Sequence, residues 1–183
     1  MSVATAIESF TYNVDPNHSS VRFWVRHLMI SKVHGELSPI SGTVVGNLDQ
    51  PEVASIDVTI KTASLTTSNE QRDAHLKSAD FFDVEKYPEI TFKSTKITKV
   101  GDGEFSVVGD VTMHGVTKEI TLQAEVSPEA PSPWGGFKVG VSATGKINRE
   151  DFGITWNQAL EAGGVVVGQD INLQIDVELD RAA

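Results

Sequence analysis

Cysteine is absent from the 183 residues, which removes disulfides, thiolate nucleophiles and every zinc or iron–sulfur site built on cysteine ligands. Positive charge is scarce: 15 Lys and Arg stand against 25 Asp and Glu, a formal charge of −10. A surface of that sign repels the phosphate backbone that dominates nucleic-acid affinity, so nucleic acid is not an expected partner. Long apolar runs are missing as well. No stretch approaches the roughly 18 residues of a membrane-spanning helix, and no Lys-rich or Arg-rich amphipathic helix marks an interfacial anchor. The opening Met1-Ser-Val-Ala-Thr-Ala-Ile-Glu-Ser-Phe10 has neither a basic start nor the apolar run of a secretory signal, from which a cytoplasmic location is expected. No repeat with a period of about 20 to 50 residues interrupts the chain, and its length suits one domain.

What the chain does have is period-two alternation. Val21, Phe23 and Val25, followed by His27, fall on one face of a strand, with Arg22, Trp24 and Arg26 on the other. The pattern recurs at Ile56, Val58 and Ile60, at Ile90 and Phe92, at Phe105, Val107, Val111 and Met113, and at Ile120, Leu122, Ala124 and Val126. It returns at Phe137, Val139, Val141 and Ala143 and closes at Ile171, Leu173, Ile175, Val177 and Leu179. With residues 44–48 this makes about eight strands. The tight links Gly101-Asp-Gly103 and His114-Gly-Val-Thr117 suit hairpins, so the sheet is predicted to be antiparallel.

Residues 67–82 break the alternation, and there Ser68 or Asn69 can cap a helix through Glu70, Arg72, His75 and Leu76. A second short helix is expected near residues 159–162, ended by Gly163 and Gly164. Residues 127–136, with three prolines and two glycines, read as a hairpin loop. An all-β chain of this kind must close into a barrel or stack as a sandwich to protect its strand edges, and the pattern alone permits both.

Four segments carry a more specific signal. They are Asp15-Pro-Asn-His18-Ser with Val21-Arg-Phe23-Trp-Val25-Arg-His27 and Ser31-Lys-Val-His-Gly35; Arg72-Asp-Ala-His75-Leu76-Lys-Ser-Ala-Asp80-Phe-Phe-Asp83 running into Lys86-Tyr87-Pro88-Glu-Ile90-Thr-Phe92-Lys-Ser94; Gly109-Asp-Val-Thr-Met-His114-Gly115-Val-Thr117; and Arg149-Glu-Asp151-Phe152-Gly153-Ile-Thr-Trp156-Asn157. Together they resemble the YceI-like family of polyisoprenoid-binding proteins, over residues 11–180, with residues 1–10 as an N-terminal extension. The resemblance implies an eight-stranded antiparallel lipocalin-like barrel with a short helical insertion, and so a barrel in place of a sandwich. It also implies a long isoprenoid tail inside. Many members begin with a periplasmic signal, which this opening lacks.

An eight-stranded barrel is either just filled by its side chains or just wide enough for one small ligand, so small inward residues should mark a tunnel. Phe23, Val25, Val58, Ile60, Phe92, Val107, Met113, Val141 and Ile175 are the candidates to line it, because each lies on the apolar face of its strand; ordinary core packing obeys the same rule. His27, Arg72, His75 and Leu76 are candidates for the tunnel mouth, Arg72 and His75 being i,i+3 neighbours on one helix face. Arg72 and Asp73 can equally form an ion pair or a cap. Phe81, Phe82, Tyr87, Phe152 and Trp156 are expected to close the barrel ends and pack the helix.

His18, His27, His75 and His114 invite an enzymatic reading. No H-E-x-x-H, G-x-S-x-G or phosphate-cradling glycine loop accompanies them, so structural hydrogen bonding ranks first, head-group contact second and catalysis last. The expected function is a carrier or sequestering protein for an isoprenoid quinone or polyprenyl phosphate, not an enzyme, with no metal and no cofactor besides the bound lipid. Two alternatives stand beside it. One is an enzyme acting on such a lipid, with a histidine beside Asp73 or Asp151 as general acid or base. The other is a filled barrel acting through its surface, for instance as a homodimer using exposed apolar residues such as Trp24.

Overall fold

A computed structural model describes residues 8–47 and 50–183; residues 1–7, most of the expected extension, and Leu48 lie outside the described residues. Alternation translates into strands β1 (Phe10–Val14), β2 (Ser20–His27), β3 (Ser31–Leu37), β4 (Ile40–Asn47), β5 (Gln50–Lys61), β6 (Glu89–Gly101), β7 (Glu104–Met113), β8 (Val116–Val126), β9 (Ala130–Pro131), β10 (Phe137–Asn148) and β11 (Val167–Arg181). One α-helix, α1 (Glu70–Lys77), falls in the segment where alternation stops, and Asn69 caps it by accepting from the Arg72 amide.

The ring is antiparallel throughout. The strands β1 and β2 lie end to end along β11, at Tyr12↔Arg181 and Val21↔Ile175. Likewise β4 lies along β1 and β3 along β2. From β4 the sheet runs β5, β6, β7, β8, β10 and back to β11, which closes it. Counting each end-to-end pair as one stave gives eight, the expected closed barrel. The two-residue turn Asp102-Gly103 links β6 to β7, and His114-Gly115, both with positive φ, links β7 to β8. Backbone of that hand matches the right-handed strand twist.

The expected helix at residues 159–162 is not formed. Ala159 pairs with Val165, Leu160 N–H donates to the Gly164 carbonyl, and Gly163 and Gly164 take φ of 85° and 95°. Four residues provide too few hydrogen bonds to offset helix nucleation, whereas two left-handed glycines close a turn at once.

The two ends of the barrel differ. At one end Tyr12 OH donates to Glu129 Oε2 (2.8 Å), Arg181 Nη1 donates to Glu129 Oε1 (2.8 Å), and the Arg181 guanidinium lies 3.6 Å above the Phe10 ring. Burial first, then the Glu129 carboxylate, pushes the Tyr12 hydroxyl up to about 12. Behind this seal Ile97, Phe105, Val107, Ala124 and Ala143 pack as a solid apolar cluster, with Leu122 at its upper boundary. At the other end stand the turn at 28–30, the connection 62–88 with α1, and the connection 149–166.

In that half the barrel wall is thinned by glycine. A Cβ placed on Gly35 would lie 2.3 Å from Phe23 Cζ, one on Gly109 would lie 2.5 Å from Phe92 Cζ, and one on Gly145 would meet a Leu122 methyl at 2.5 Å. All three glycines share the inward parity of their strands, so two phenyl rings and a leucine lie flat against neighbouring backbone instead of reaching across the bore.

The break between β1 and β2 is stapled from outside. His18 Nδ1 lies 2.7 Å from Asp15 Oδ2, the Asn17 amide donates to Asp15 Oδ1 (2.9 Å), and Lys138 Nζ donates to Asp15, Glu178 and Asp180. The bond from His18 and then the Asn17 amide hold the Asp15 carboxyl down to about 2, while the bond to Asp15 and its charge raise His18 above 6.5.

Gly35→Ala is expected to push the Phe23 ring into the bore. An apolar fluorescent probe should bind at least several-fold more weakly with the circular dichroism spectrum unchanged, and adding Phe23→Ala should restore binding. The staple predicts a pH dependence. Asp15, with its lowered value, stabilises above its ordinary 3.8 and is lost as pH falls through about 2. His18, with its raised value, stabilises fully below 6.5 and is lost as pH rises through its folded value. The difference in thermal midpoint between the parent and His18→Asn should therefore be largest between about pH 4 and 6.5 and shrink on the alkaline side. A difference that stays level as the pH is raised well above 6.5 would contradict the staple.

Candidate functional site

The glycine-thinned half encloses a cavity of about 610 Å³, within the range of roughly 300 to 1,000 Å³ of small-molecule sites. Its walls are the inward residues of the barrel: Val21, Phe23 and Val25 of β2, Val58 and Ile60 of β5, Ile90 and Phe92 of β6, Val111 and Met113 of β7, and Leu173, Ile175 and Val177 of β11. Among the described residues, polar groups on its wall gather where the end of β2, the connection carrying α1 and the 149–166 connection meet the rim: Arg26, His27, Thr67, Asn69, Gln71, Arg72, His75 and Arg149.

The helix sits where the sheet leaves an opening. Among the described residues β3 has no strand neighbour on its outer edge, and only Glu36 there is bridged, by reciprocal bonds of 2.9 Å with Thr66. The helix α1 follows this bridge in the chain and buries none of its residues fully, so packing alone does not hold it. Side-chain bonds do. Asp73 accepts from the amide and hydroxyl of Thr67 and from Thr66 Oγ1, while Arg72 donates through Nε to Thr67 Oγ1 (2.7 Å) and through Nη2 to the Thr67 carbonyl (2.8 Å). Both therefore grip buried Thr67, and they do not pair with each other. Burial raises Asp73, but the bonds from Thr67 and Thr66 outweigh it and leave the carboxyl below its ordinary range.

His75 faces the cavity between aromatic neighbours, edge-on to Phe81 at 5.1 Å and to Trp156 at 4.8 Å, with Nε2 2.9 Å from Asp80 Oδ2. His114 Nδ1 lies 3.0 Å from the Phe152 carbonyl, a loop-fixing contact, and His18 belongs to the outer staple. Among the described residues no histidine is hydrogen-bonded to Asp73 or Asp151, so the acid–base pairings considered from sequence are not assembled. Asp15, His18 and Glu178 are close enough together to share a metal ion. The Lys138 ammonium already lies among them, and its charge opposes a second cation there.

Among the described residues Arg149 is the one charged side chain on the cavity wall that is buried, at 3% exposure. Its Nε donates to the Gly168 carbonyl (2.8 Å), Nη1 to Ile154 (2.7 Å) and Nη2 to Val167 (3.4 Å). Among the described residues no carboxylate forms a salt bridge with it. Burial pushes its pKa down. The nearby Glu150 charge acts in the opposite direction, no carboxylate is bonded to the guanidinium, and the residue borders the cavity.

Of the thirteen ligand candidates, Phe23, Val25, His27, Val58, Ile60, Arg72, His75, Leu76, Phe92, Met113 and Ile175 line the cavity. Val107 and Val141 do not. Val107 lies in the sealed lower cluster and Val141 packs against it, because alternation gives a residue's face and not its height along the bore. Phe81, Phe82 and Trp156, expected only to close the end and pack the helix, also line the cavity. Trp24 is half-buried, with Lys32 Nζ 3.9 Å above its ring, and the exposed apolar residues at this end are Leu28, Met29 and Ile30. Sequence reasoning missed Arg149 and the wall glycines. The strand pairing that sets Phe23 opposite Gly35 is the signal that could have found the latter.

Among the described residues no helix is long and apolar enough to cross a membrane. A family model described as a YceI-like domain matches residues 12–179. The UPF0312 protein SA2479 of Staphylococcus aureus (strain N315) is 41% identical over 171 residues, covering 93% of this chain and 96% of the relative. Among solved structures, the YCEI protein of Campylobacter jejuni is 36% identical with a TM-score of 0.70, covering 86% of this chain and 90% of its own. BcnA of Burkholderia cenocepacia shares the fold at 19% identity and a TM-score of 0.79, covering 90% of this chain and 98% of its own. So does a polyisoprenoid binding domain from Saccharophagus degradans implicated in plant cell wall breakdown, at 14% identity and 0.69, covering 94% and 99%. The motifs, the closed barrel and the match over nearly the whole chain converge: this protein belongs to the YceI-like family.

Proposed function

We propose that the protein binds an isoprenoid lipid, holding the tail in the apolar cavity and the polar head at the α1 rim, and that it carries or sequesters this lipid without altering it. The observation that carries this reading is the polarity of the cavity, which is apolar and sealed below and polar only at its mouth. Each buried methylene is worth about 0.8 kcal/mol, so one five-carbon unit contributes roughly 3 to 4 kcal/mol before ordering costs. A few units suffice for tight binding. The name of the Saccharophagus degradans domain points to the same ligand class.

The head group is where Arg149 enters. A buried guanidinium with no carboxylate bonded to it stabilises a phosphate or a polarised quinone carbonyl at the rim, and Arg72 on α1 adds a second cation there. Of the two heads a phosphate draws more from that charge, which favours polyprenyl phosphate over a neutral quinone.

Organic extraction of the purified protein followed by mass spectrometry should release an isoprenoid at close to one molecule per chain. An extract free of lipid, together with failure of the emptied protein to bind any prenyl chain, would sink the reading. Arg149→Met is expected to weaken binding of a polyprenyl phosphate by at least about tenfold more than binding of the prenol of equal length, since a charge-assisted hydrogen bond is worth about 1.5 to 3 kcal/mol. Equal losses for both ligands would reduce Arg149 to a tether for the 149–166 connection.

A further inference from the structure

At the rim, the three-residue link between β2 and β3 is Leu28-Met29-Ile30, with exposures of 38%, 58% and 78%. An exposed turn normally carries glycine, asparagine or aspartate. Here Leu28 and Met29 hold φ of 51° and 64°, left-handed values that disfavour ordinary side chains. The conformation is kept by Leu28 N–H donating to the Val166 carbonyl (2.8 Å) and Ile30 N–H to that of His27 (3.1 Å). Strained backbone that presents three large apolar side chains to water lowers stability, so its persistence points to a use.

The surroundings say what the tip meets. Although the chain carries 25 acidic residues, none occurs at positions 16–35. Arg26 and Lys32 flank the tip, and among the described residues neither has a carboxylate partner. Trp24 lies beneath Lys32 on the same outer face. Glu70 and Asp80 belong to the α1 side of the rim and Glu161 to the adjoining 149–166 connection, so the hairpin itself is the part suited to anionic head groups. Apolar residues ringed by cations and an aromatic are the composition that enters a lipid interface. A three-residue tip is far too small for a stable dimer, which needs about 1,000 Å² or more.

We infer that Leu28, Met29 and Ile30 insert into the surface of an anionic lipid bilayer, with Arg26 and Lys32 on the head groups, and so bring the cavity mouth against the membrane. A tail then passes between bilayer and barrel without crossing water. That transfer role rests on the function proposed above; the docking itself does not.

Because the chain has no cysteine, Ile30→Cys can carry a single environment-sensitive fluorophore, with Trp134→Cys at the sealed end as its control. Lipid-emptied protein is mixed with phosphatidylcholine vesicles with and without one-quarter phosphatidylglycerol. The label at position 30 should shift to the blue and be quenched by bromine in the acyl chains, more strongly with phosphatidylglycerol, while the label at position 134 stays unchanged. Met29→Ser with Ile30→Ser should cut vesicle flotation at least about tenfold while leaving binding of a soluble prenyl probe intact. No shift at position 30 with either vesicle overturns the inference. A blue shift without vesicles, with doubled mass by light scattering, overturns it in favour of a second copy as the occupant. Docking with no isoprenoid bound by any assay leaves the bilayer contact standing and removes only its transfer role.

Discussion

Closure of the sheet is the constraint from which the rest follows. Once β11 pairs with both β10 and the β1–β2 stave, the backbone groups along the ring find partners in it, and the width of the interior is set by the number of staves. Whether such a ring is solid or hollow is then decided by side-chain volume alone. Below, isoleucine, phenylalanine, valine and alanine fill it; above, Gly35, Gly109 and Gly145 give Phe23, Phe92 and Leu122 room to lie along the wall. The same architecture thus supplies a rigid floor and an open chamber within one continuous sheet.

The interruption of that closure is as consequential as the closure. Where β3 lacks an outer neighbour, the chain places a helix that buries no residue and is held through Thr66, Thr67, Arg72 and Asp73. Polar groups can be stationed there because the rim is wet, and the same groups would be costly further down the bore. Arg149 marks the boundary: it is buried, bonded to three carbonyls, and lines the chamber.

Much of this was legible in the sequence, and the limits have physical causes. The period of two located β2, β4 to β8, β10 and β11 but not β1, β3 or β9, whose stretches are short or carry few apolar residues, and the Ser68-Asn69 capping signal located α1, because both signals are local. Barrel rather than sandwich came only from motif resemblance, since the two share one pattern. Val107 and Val141 were misplaced because height along a strand depends on stagger between neighbours, which no single segment encodes. Residues 159–162 were read as helix because a short apolar run with trailing glycines resembles a helix end; the pairing of Ala159 with Val165 is a tertiary fact. Arg149 looked like an ordinary motif residue, and its burial becomes visible only when β11 folds over it.

The wall glycines have a bearing on ancestry. Any glycine codon becomes an alanine or valine codon by a single base change, and such a change at Gly35 or Gly145 would press on the Phe23 ring or a Leu122 methyl rather than on backbone, tipping a large side chain into the chamber. The chamber's capacity can therefore drift in small steps, independently of the scaffold's stability. A lineage of these barrels can acquire shorter or longer cargo without passing through an unfolded intermediate sequence.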